Sequence, residues 1–207
     1  MSQNQQLICL PISYFGPIAY YSTILHYPCQ IEYHENYQKR SIRNRAQILS
    51  SNGPINISVP LKKGKTNLSI TAVQIAYDEP WYDNHLKSII SAYGTAPYFD
   101  FYIDKIKDLL ESKPQLLFDL NVNIREFVFK IIGLDSISNT SEYNKSDRVY
   151  RPTFTNKNKK QEIVIQEYTQ VFTEKYGFTP NLSVLDLIFN VGPESNRILQ
   201  ASKVIFH

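Results

Sequence analysis

The stretch that decides the fold lies near the beginning of the chain, where the sequence reads Leu7-Ile8-Cys9-Leu10-Pro11-Ile12-Ser13 and then Tyr14-Phe15-Gly16-Pro17. The first run is short and apolar, which is typical of a buried strand, and the second holds a Gly-Pro pair that turns the chain. Proline suits the first turn of a helix. Apolar residues then recur at helical spacing over residues 18–26. The opening unit is predicted to be strand, tight turn and helix.

Alternating apolar and polar residues predict four further strands in the first part of the chain. They cover residues 30–34, 45–49, 55–59 and 70–77. Ser50-Ser51-Asn52-Gly53 joins the second of these to the third. Because Asn-Gly is a strong turn signal, this pair is predicted to form a hairpin.

Helical periodicity begins after Pro80. Three helices are predicted: residues 82–93, a helix that starts at Ala96-Pro97 with Thr95 as its N-cap, and residues 117–132. Gly94 and Gly133 close the first and the third. Ser183 followed by Asp186 has the spacing of a capping box for a short helix, and Gly192-Pro193 ends that helix and starts another.

Residues 138–161 are rich in Ser, Asn, Lys and Thr and poor in apolar side chains. Such a stretch cannot bury enough surface to order itself. It is predicted to be a mobile loop or lid, with Lys157, Lys159 and Lys160 as a basic cluster. Residues 163–172 fit a strand or a short helix equally well.

These elements predict one mixed α/β domain over residues 1–207, with α+β as the alternative. A sheet from the first third carries the helical segment, and short C-terminal helices close a cleft. The strand order cannot be derived from the sequence.

The charge balance excludes some partners. The chain has 22 Lys and Arg against 19 Asp and Glu, a net charge of +3, which is far below the loading that nucleic-acid binding requires. No apolar run is long enough for a membrane span, and the polar N-terminus predicts a cytoplasmic protein. Cys9 and Cys29 fit neither a disulfide scaffold nor a zinc site. With only seven glycines and no phosphate-loop pattern, no cofactor and no metal are predicted.

Polar and aromatic residues concentrate in residues 34–45, which contain Arg40, Arg43, Asn44 and Arg45. Guanidinium groups bind phosphate and carboxylate groups in bidentate fashion, so this turn is a candidate for holding a donor anion. The alternative is a solvated basic turn whose arginines pair with Glu32 and Glu35.

Two histidines are candidate general bases. His85 lies four residues after Trp81, so the two share a helix face, and an imidazole can accept a proton near neutral pH. The alternative for His85 is a packing role. His34 ends a predicted strand, where site residues often project, although a structural role fits it equally well. Tyr14 belongs to an aromatic set suited to stacking on sugar rings, or to packing in the core.

A third polar stretch near the C-terminus supplies Asn181, Ser183 and Asp186 as candidate substrate-binding residues. Asp186 fits the capping box of Ser183 better than it fits a catalytic acid.

Several unusual segments occur in a definite order. They are Tyr14-Phe15-Gly16-Pro17 with Tyr20-Tyr21, residues 34–40, Arg43-Asn44-Arg45, Trp81 with His85, Ala92-Tyr93, Ala96-Pro97-Tyr98-Phe99 and residues 181–190. In this order the chain resembles the WbqC-like protein family over nearly its whole length. One departure is Leu10-Pro11-Ile12, which stands where the family typically carries His-Gln-Pro.

The resemblance implies a bacterial protein of surface-polysaccharide biosynthesis, and a glycine transferase acting on O-antigen sugars. The first hypothesis is therefore a transferase for an acyl or aminoacyl group, with an activated donor and a sugar acceptor as its small-molecule partners. In it Arg43 and Arg45 hold the donor, His85 or His34 takes the acceptor proton, and Trp81 packs on a ring. The second hypothesis is a non-catalytic protein that binds a sugar or nucleotide-sugar in a polysaccharide assembly system.

Overall fold

The structure is a computed structural model that describes residues 7–63, 67–134, 136–143, 149–154 and 161–207. Seven strands and seven α-helices follow one another in these ranges. The strands are β1 (Leu7–Pro11), β2 (Cys29–Glu32), β3 (Arg45–Ser50), β4 (Gly53–Ser58), β5 (Val149–Tyr150), β6 (Gln161–Val164) and β7 (Lys203–Phe206). The helices are α1 (Ile18–His26), α2 (Trp81–Tyr93), α3 (Phe99–Glu111), α4 (Leu117–Ile132), α5 (Thr173–Tyr176), α6 (Val184–Val191) and α7 (Ser195–Ala201). The mixed α/β class predicted from the sequence is confirmed.

The central sheet is parallel, with β1 between β2 and β5. Its first unit is β1-α1-β2, as expected when a helix connects two parallel strands. All three strands point the same way, so their carboxyl ends meet at one edge of the sheet. That edge positions the candidate site described below.

The other four strands form two antiparallel pairs. β3 and β4 form the predicted hairpin, in which Arg45 pairs with Ser58 at the open end and Ser50 with Gly53 at the turn. β6 pairs with β7, so the end of the described chain returns to the region after β5. The single sheet expected from the first third is therefore replaced by three small sheets.

The periodic helices were predicted well, and the weaker signals were not. α1 and α4 have the predicted bounds, and Gly133 closes α4 in the left-handed conformation with a φ of 69°. Thr95 does not cap α3, since Tyr98 is the residue before its first turn. The α3 prediction failed at its start because residues 95–98 turn before the helix begins.

The predicted strand at residues 70–77 is wrong. Ile70–Ala72 form a 3-10 helix, and the following residues make only isolated bridges, Leu61 with Ile75 and Gln74 with Leu116. Val73 and Ile75 are buried while Gln74 is exposed. The alternation of side chains is real, but two different neighbours contact the segment and no continuous ladder forms.

Within the polar segment 138–161 the structure describes residues 138–143, 149–154 and 161. β5 lies within it and pairs with β1, and Thr140 and Phe154 are buried. Thr140 and Arg151 contact Glu32 at the end of β2. The basic cluster of Lys157, Lys159 and Lys160 lies outside the described residues.

Two glycines with positive φ, Gly133 and Gly192, allow a test of packing. A Cβ at Gly192 (φ 51°) would collide with the Tyr98 ring, whereas one at Gly133 (φ 69°) would meet nothing within 4 Å. Gly133→Ala should cost about 1–2 kcal/mol of unfolding free energy through backbone strain. Gly192→Ala should cost about 1–3 kcal/mol more, through overpacking and through a ψ of −121° that alanine tolerates less well than the ψ of 36° at Gly133. Urea unfolding of both variants measures the difference, and equal losses would contradict the predicted collision.

Candidate ligand-binding site

A cavity of about 750 Å³ opens at the carboxyl edge of the parallel sheet. Cys9 of β1, Glu32 at the end of β2 and Arg151 directly after β5 line it, so all three strands contribute to its lining. In open α/β sheets ligands bind in the crevice outside the carboxyl ends, where neighbouring connections leave in opposite directions. We call this the strand-end cavity.

The Glu32 carboxylate is buried, with 1% of the residue exposed. The backbone N–H of His34 and the hydroxyl of Thr140 donate to its Oε1 at 2.9 and 2.8 Å, and Arg151 Nη2 donates to Oε2 at 2.9 Å. Burial on its own raises the pKa of Glu32, but these three donors outweigh it and hold the pKa below its usual value. Glu32 is therefore ionised at neutral pH.

A second buried ion pair lies in the same wall. The Arg43 guanidinium donates to both oxygens of Glu35, with a distance of 2.7 Å between Nε and Oε1. Burial raises the pKa of Glu35, and Arg43 opposes that rise. Asn121 holds the Arg43 backbone carbonyl at 2.7 Å. The pairing of Arg43 with Glu35 is the alternative that the sequence left open, and it leaves the guanidinium already partnered.

His34 gives the strand-end cavity an exposed imidazole. Its backbone is fixed by the hydrogen bond to Glu32, so a rigid strand end carries the ring. Cys9 also lines the cavity and is 1% exposed. Burial raises the pKa of the Cys9 thiol, Arg151 opposes the rise and Glu32 adds to it, so Cys9 is a neutral thiol at neutral pH.

The other residues of the predicted arginine turn line a neighbouring cavity of about 710 Å³. Its cationic lining residues are Lys39, Arg40, Arg45, Lys62 and Lys63, and we call it the basic cavity. Of the described residues that line it, none is Asp or Glu. Tyr37, Lys39 and Arg40 line both cavities, so the two share a wall.

Asn44 has a structural place in that wall. Its Oδ1 accepts from Tyr37 Oη at 3.0 Å and its Nδ2 donates to the Val59 carbonyl at 3.0 Å. The Asn44 backbone carbonyl also accepts from the Val59 N–H at 2.9 Å. These bonds close the open end of the β3-β4 hairpin.

The Trp81 stretch lies in the core. Trp81, His85 and Tyr14 have exposures of 5%, 6% and 0%. Tyr14 Oη lies 2.8 Å from His85 Nδ1, and the Trp81 and His85 rings meet edge to face with centroids 5.0 Å apart. None of the three lines either cavity. Burial lowers the pKa of His85 to about 4, and a hydrogen bond to the Ser58 backbone opposes this only in part.

The C-terminal candidates position helices. Asn181 Oδ1 accepts from the Ala19 N–H at 3.0 Å and so caps α1. Ser183 caps α6, as its spacing predicted, by accepting from the Leu185 N–H at 3.3 Å, and its hydroxyl donates to the Phe15 carbonyl. These two residues join the beginning of the fold to its end.

Asp186 does not complete a capping box. Its Oδ1 accepts from Tyr168 Oη at 2.6 Å and from Gln170 Nε2 at 2.9 Å. Burial raises the pKa of Asp186, and the hydrogen bonds from Tyr168, Gln170 and Tyr93 oppose the rise. Asp186 is 1% exposed and lines neither cavity.

The structure therefore separates residues that the sequence predicted to share one cleft. His34, Arg40, Arg43, Asn44 and Arg45 line the two adjoining cavities, whereas the Trp81 and Asn181 stretches line neither. Sequence reasoning missed Glu32, Cys9 and Arg151 as lining residues. The sequence placed Glu32 and Cys9 inside predicted strands and not at their ends, so it gave no direct signal that they line a cavity at the carboxyl edge.

Among the described residues, no three His, Cys, Asp or Glu side chains come together to hold a metal ion. None of the helices described is both long and apolar enough to cross a membrane.

The Glu32 network predicts a pH-dependent loss of stability in Glu32→Gln. A lowered carboxyl pKa contributes stability above the unfolded value of about 4.3 and loses it as pH falls through the folded value. At pH 7 the variant should lose about 1.5–3 kcal/mol of unfolding free energy, the usual worth of hydrogen bonds to a charge. The difference from wild type should shrink below pH ~4.

Glu194→Gln is the matched control, because Glu194 pairs with Arg197 on the exposed surface. It should change the unfolding free energy by less than about 0.5 kcal/mol. Urea unfolding at several pH values measures both variants. Equal losses, or a Glu32→Gln loss that persists in acid, would contradict the prediction.

Buried His85 predicts acid sensitivity. Because its folded pKa is about 4, the unfolded chain binds the proton more readily, and stability is full only above pH ~6.5. It should fall by up to about 3 kcal/mol as pH drops from ~6.5 to ~4. His85→Gln should remove this part of the pH dependence, while exposed His207→Gln should leave it. Unfolding curves over that range are the measurement, and an unchanged slope in His85→Gln would contradict it.

Comparison with known proteins gives one match. A model of the WbqC-like protein family matches residues 12–155 and 147–198. No curated protein and no solved structure matches significantly. Because the two ranges cover most of the sequence, the resemblance is confirmed, and the chain belongs to the WbqC-like protein family.

Proposed function

We propose that this protein is a transferase that moves an acyl or aminoacyl group, of the glycine type, from an activated donor to a sugar in surface-polysaccharide biosynthesis. One observation carries the proposal. The exposed His34 imidazole shares a cavity with two ion pairs, Glu32 with Arg151 and Glu35 with Arg43. Membership of the WbqC-like family supports the polysaccharide setting.

His34 is the general base of the proposed reaction. An imidazole is the side chain best suited to move a proton near neutral pH. His85 is the poorer candidate, because it is buried, hydrogen-bonded to Tyr14 and absent from both cavities. His34 also stands on a fixed backbone, which satisfies the need for a positioned catalytic group.

In the reaction a sugar hydroxyl oxygen attacks the carbonyl carbon of the donor and forms the new C–O bond. The hydroxyl proton passes to His34 as the bond forms. The bond between the carbonyl carbon and the leaving group then breaks, and the leaving group departs with the electron pair and takes the proton from His34. An ester and the free leaving group are the products, so no oxidant or reductant is needed.

The two ion pairs shape the strand-end cavity, where the sugar acceptor would bind. Glu32 and Glu35 line the strand-end cavity as buried carboxylates, and Asn36 and Gln38 add exposed amides to the lining. The exposed amides can orient sugar hydroxyls through hydrogen bonds, while the buried carboxylates fix the wall that carries them. Because Arg43 is tied to Glu35, the donor anion falls to Arg40 and Arg45 on the basic side.

The pairing of the two carboxylates with arginines also favours the second candidate, a non-catalytic sugar-binding protein. Two carboxylates held by two arginines form pairs of little net charge, and such a lining can bind a sugar without any reaction. Product formation separates the two candidates.

The test mixes the purified protein with glycyl-coenzyme A or a glycyl adenylate and with nucleotide-sugars or free sugars, and follows product by mass spectrometry. We expect a sugar that gains one glycyl group. His34→Gln should lower kcat by about 10²–10⁴-fold, the usual worth of a general base, with little change in sugar affinity. His207→Gln, at the exposed end of the described chain, is the control and should retain activity.

Two outcomes would contradict the transferase. If His34→Gln retained full turnover, His34 would not be the base. If wild type bound a free sugar but gave no product with any donor, the sugar-binding candidate would replace the transferase.

A further inference from the structure

We propose that the basic cavity binds a diphosphate that carries an apolar or ring-shaped group, as a nucleoside diphosphate or a prenyl diphosphate does. The binding rests on the basic cavity alone. If the attached group is a nucleoside, as in coenzyme A, identifying the basic cavity as the donor site of the transferase rests on the function proposed above.

The charge of the basic cavity is unbalanced. Five cationic side chains line it, and none of its described lining residues is acidic. Lys39, Arg40, Lys62 and Lys63 are exposed, and among the described residues none of the four makes an ion pair. Like charges held together at one site repel, so a multivalent anion between them is stabilised by every pair that it forms.

Arg45 gives the cavity a built donor. It is the first residue of β3 and is half-buried, so its backbone is fixed by the hairpin. Its Nε is buried and has no hydrogen-bond partner among the described residues. The guanidinium of Arg45 lines the cavity, and its terminal N–H groups can donate charge-assisted hydrogen bonds to a phosphate oxygen there.

The basic cavity also has an apolar part. It consists of Val59, Pro60, Leu61, Leu68 and Val73. An inorganic anion has no apolar area to bury on such a surface, whereas a nucleobase or a prenyl chain would bury apolar area there. The volume of about 710 Å³ lies within the range of about 300–1,000 Å³ in which ligands and cofactors bind.

The shared wall connects this ligand to the strand-end cavity. Lys39 and Arg40 line both cavities, and Arg40 holds a left-handed backbone with a φ of 55°. Strained residues of this kind concentrate at ligand sites, where the surrounding structure maintains them. A diphosphate bound by this wall would lie beside the cavity that contains His34.

The experiment is isothermal titration calorimetry of the full chain with UDP, geranyl diphosphate, inorganic pyrophosphate and uridine. We expect UDP or geranyl diphosphate to bind about tenfold or more tightly than pyrophosphate, and the one that binds identifies the attached group. The double variant Lys62→Gln with Lys63→Gln should weaken that binding by about tenfold or more, since removing a charge-assisted hydrogen bond typically costs about that factor. Arg45→Lys should weaken it as well, because lysine cannot reproduce the planar fork.

The matched control is Lys105→Gln with Lys107→Gln. These exposed lysines on α3 lie outside both cavities, and their removal lowers the net charge equally. The control should leave the affinity unchanged. The proposal fails if neither organic diphosphate binds, if pyrophosphate or uridine binds as tightly, or if both double variants weaken binding equally.

His34→Gln separates this proposal from the transferase. It should lower kcat by about 10²–10⁴-fold and leave diphosphate binding intact. Diphosphate binding without transfer by wild type would refute the transferase and leave the basic cavity standing as a binding site. Transfer by a protein that binds no organic diphosphate would refute the basic cavity and leave the transferase standing.

Discussion

Burial of the Glu32 carboxylate is the constraint on which the site depends. Removing an ionised carboxylate from water costs several kcal/mol unless donors replace the lost solvent. The replacements come from the His34 backbone, Thr140 and Arg151. Arg151 follows β5 and lies 119 residues away in sequence. Parallel pairing of β5 with β1 is what brings it there, so the sheet and the ion pair stabilise one another.

The same constraint bears on the described part of the polar segment, residues 138–143 and 149–154. Their low apolar content argues against a core segment, and β5 is only two residues long. Its order comes from contacts with β1 and from the polar bonds to Glu32, both made across the fold. A local pattern carries no information about a partner more than a hundred residues away. By contrast, α1 and α4 were predicted from their own periodicity, because an amphipathic helix contains its own signal.

The candidate site, like the fold, could be predicted from the sequence only where a local pattern marks it. The sequence made the arginine turn at Arg40 to Arg45 a candidate, because cations in a short polar segment are visible in the sequence. The two histidines show what was not visible. His34 and His85 carry the same imidazole, yet one is exposed at a strand end and the other is enclosed by Tyr14 and Trp81. Helical spacing put Trp81 and His85 on one face correctly, but it could not say whether that face meets solvent or the core.

The distribution of charge indicates that the two cavities suit different kinds of ligand. Glu32 and Glu35 of the strand-end cavity are each matched by a guanidinium, Glu32 by Arg151 and Glu35 by Arg43. These pairs leave little net field, so the part of this cavity away from Lys39 and Arg40 suits a neutral, hydroxyl-rich molecule. The basic cavity has cations without acidic counterparts among its described lining residues and an apolar surface beside them, which suits an anion with an organic group attached. The proposed transferase, which would join a charged donor to a neutral acceptor, needs both environments side by side, and Lys39 and Arg40 form the border between them.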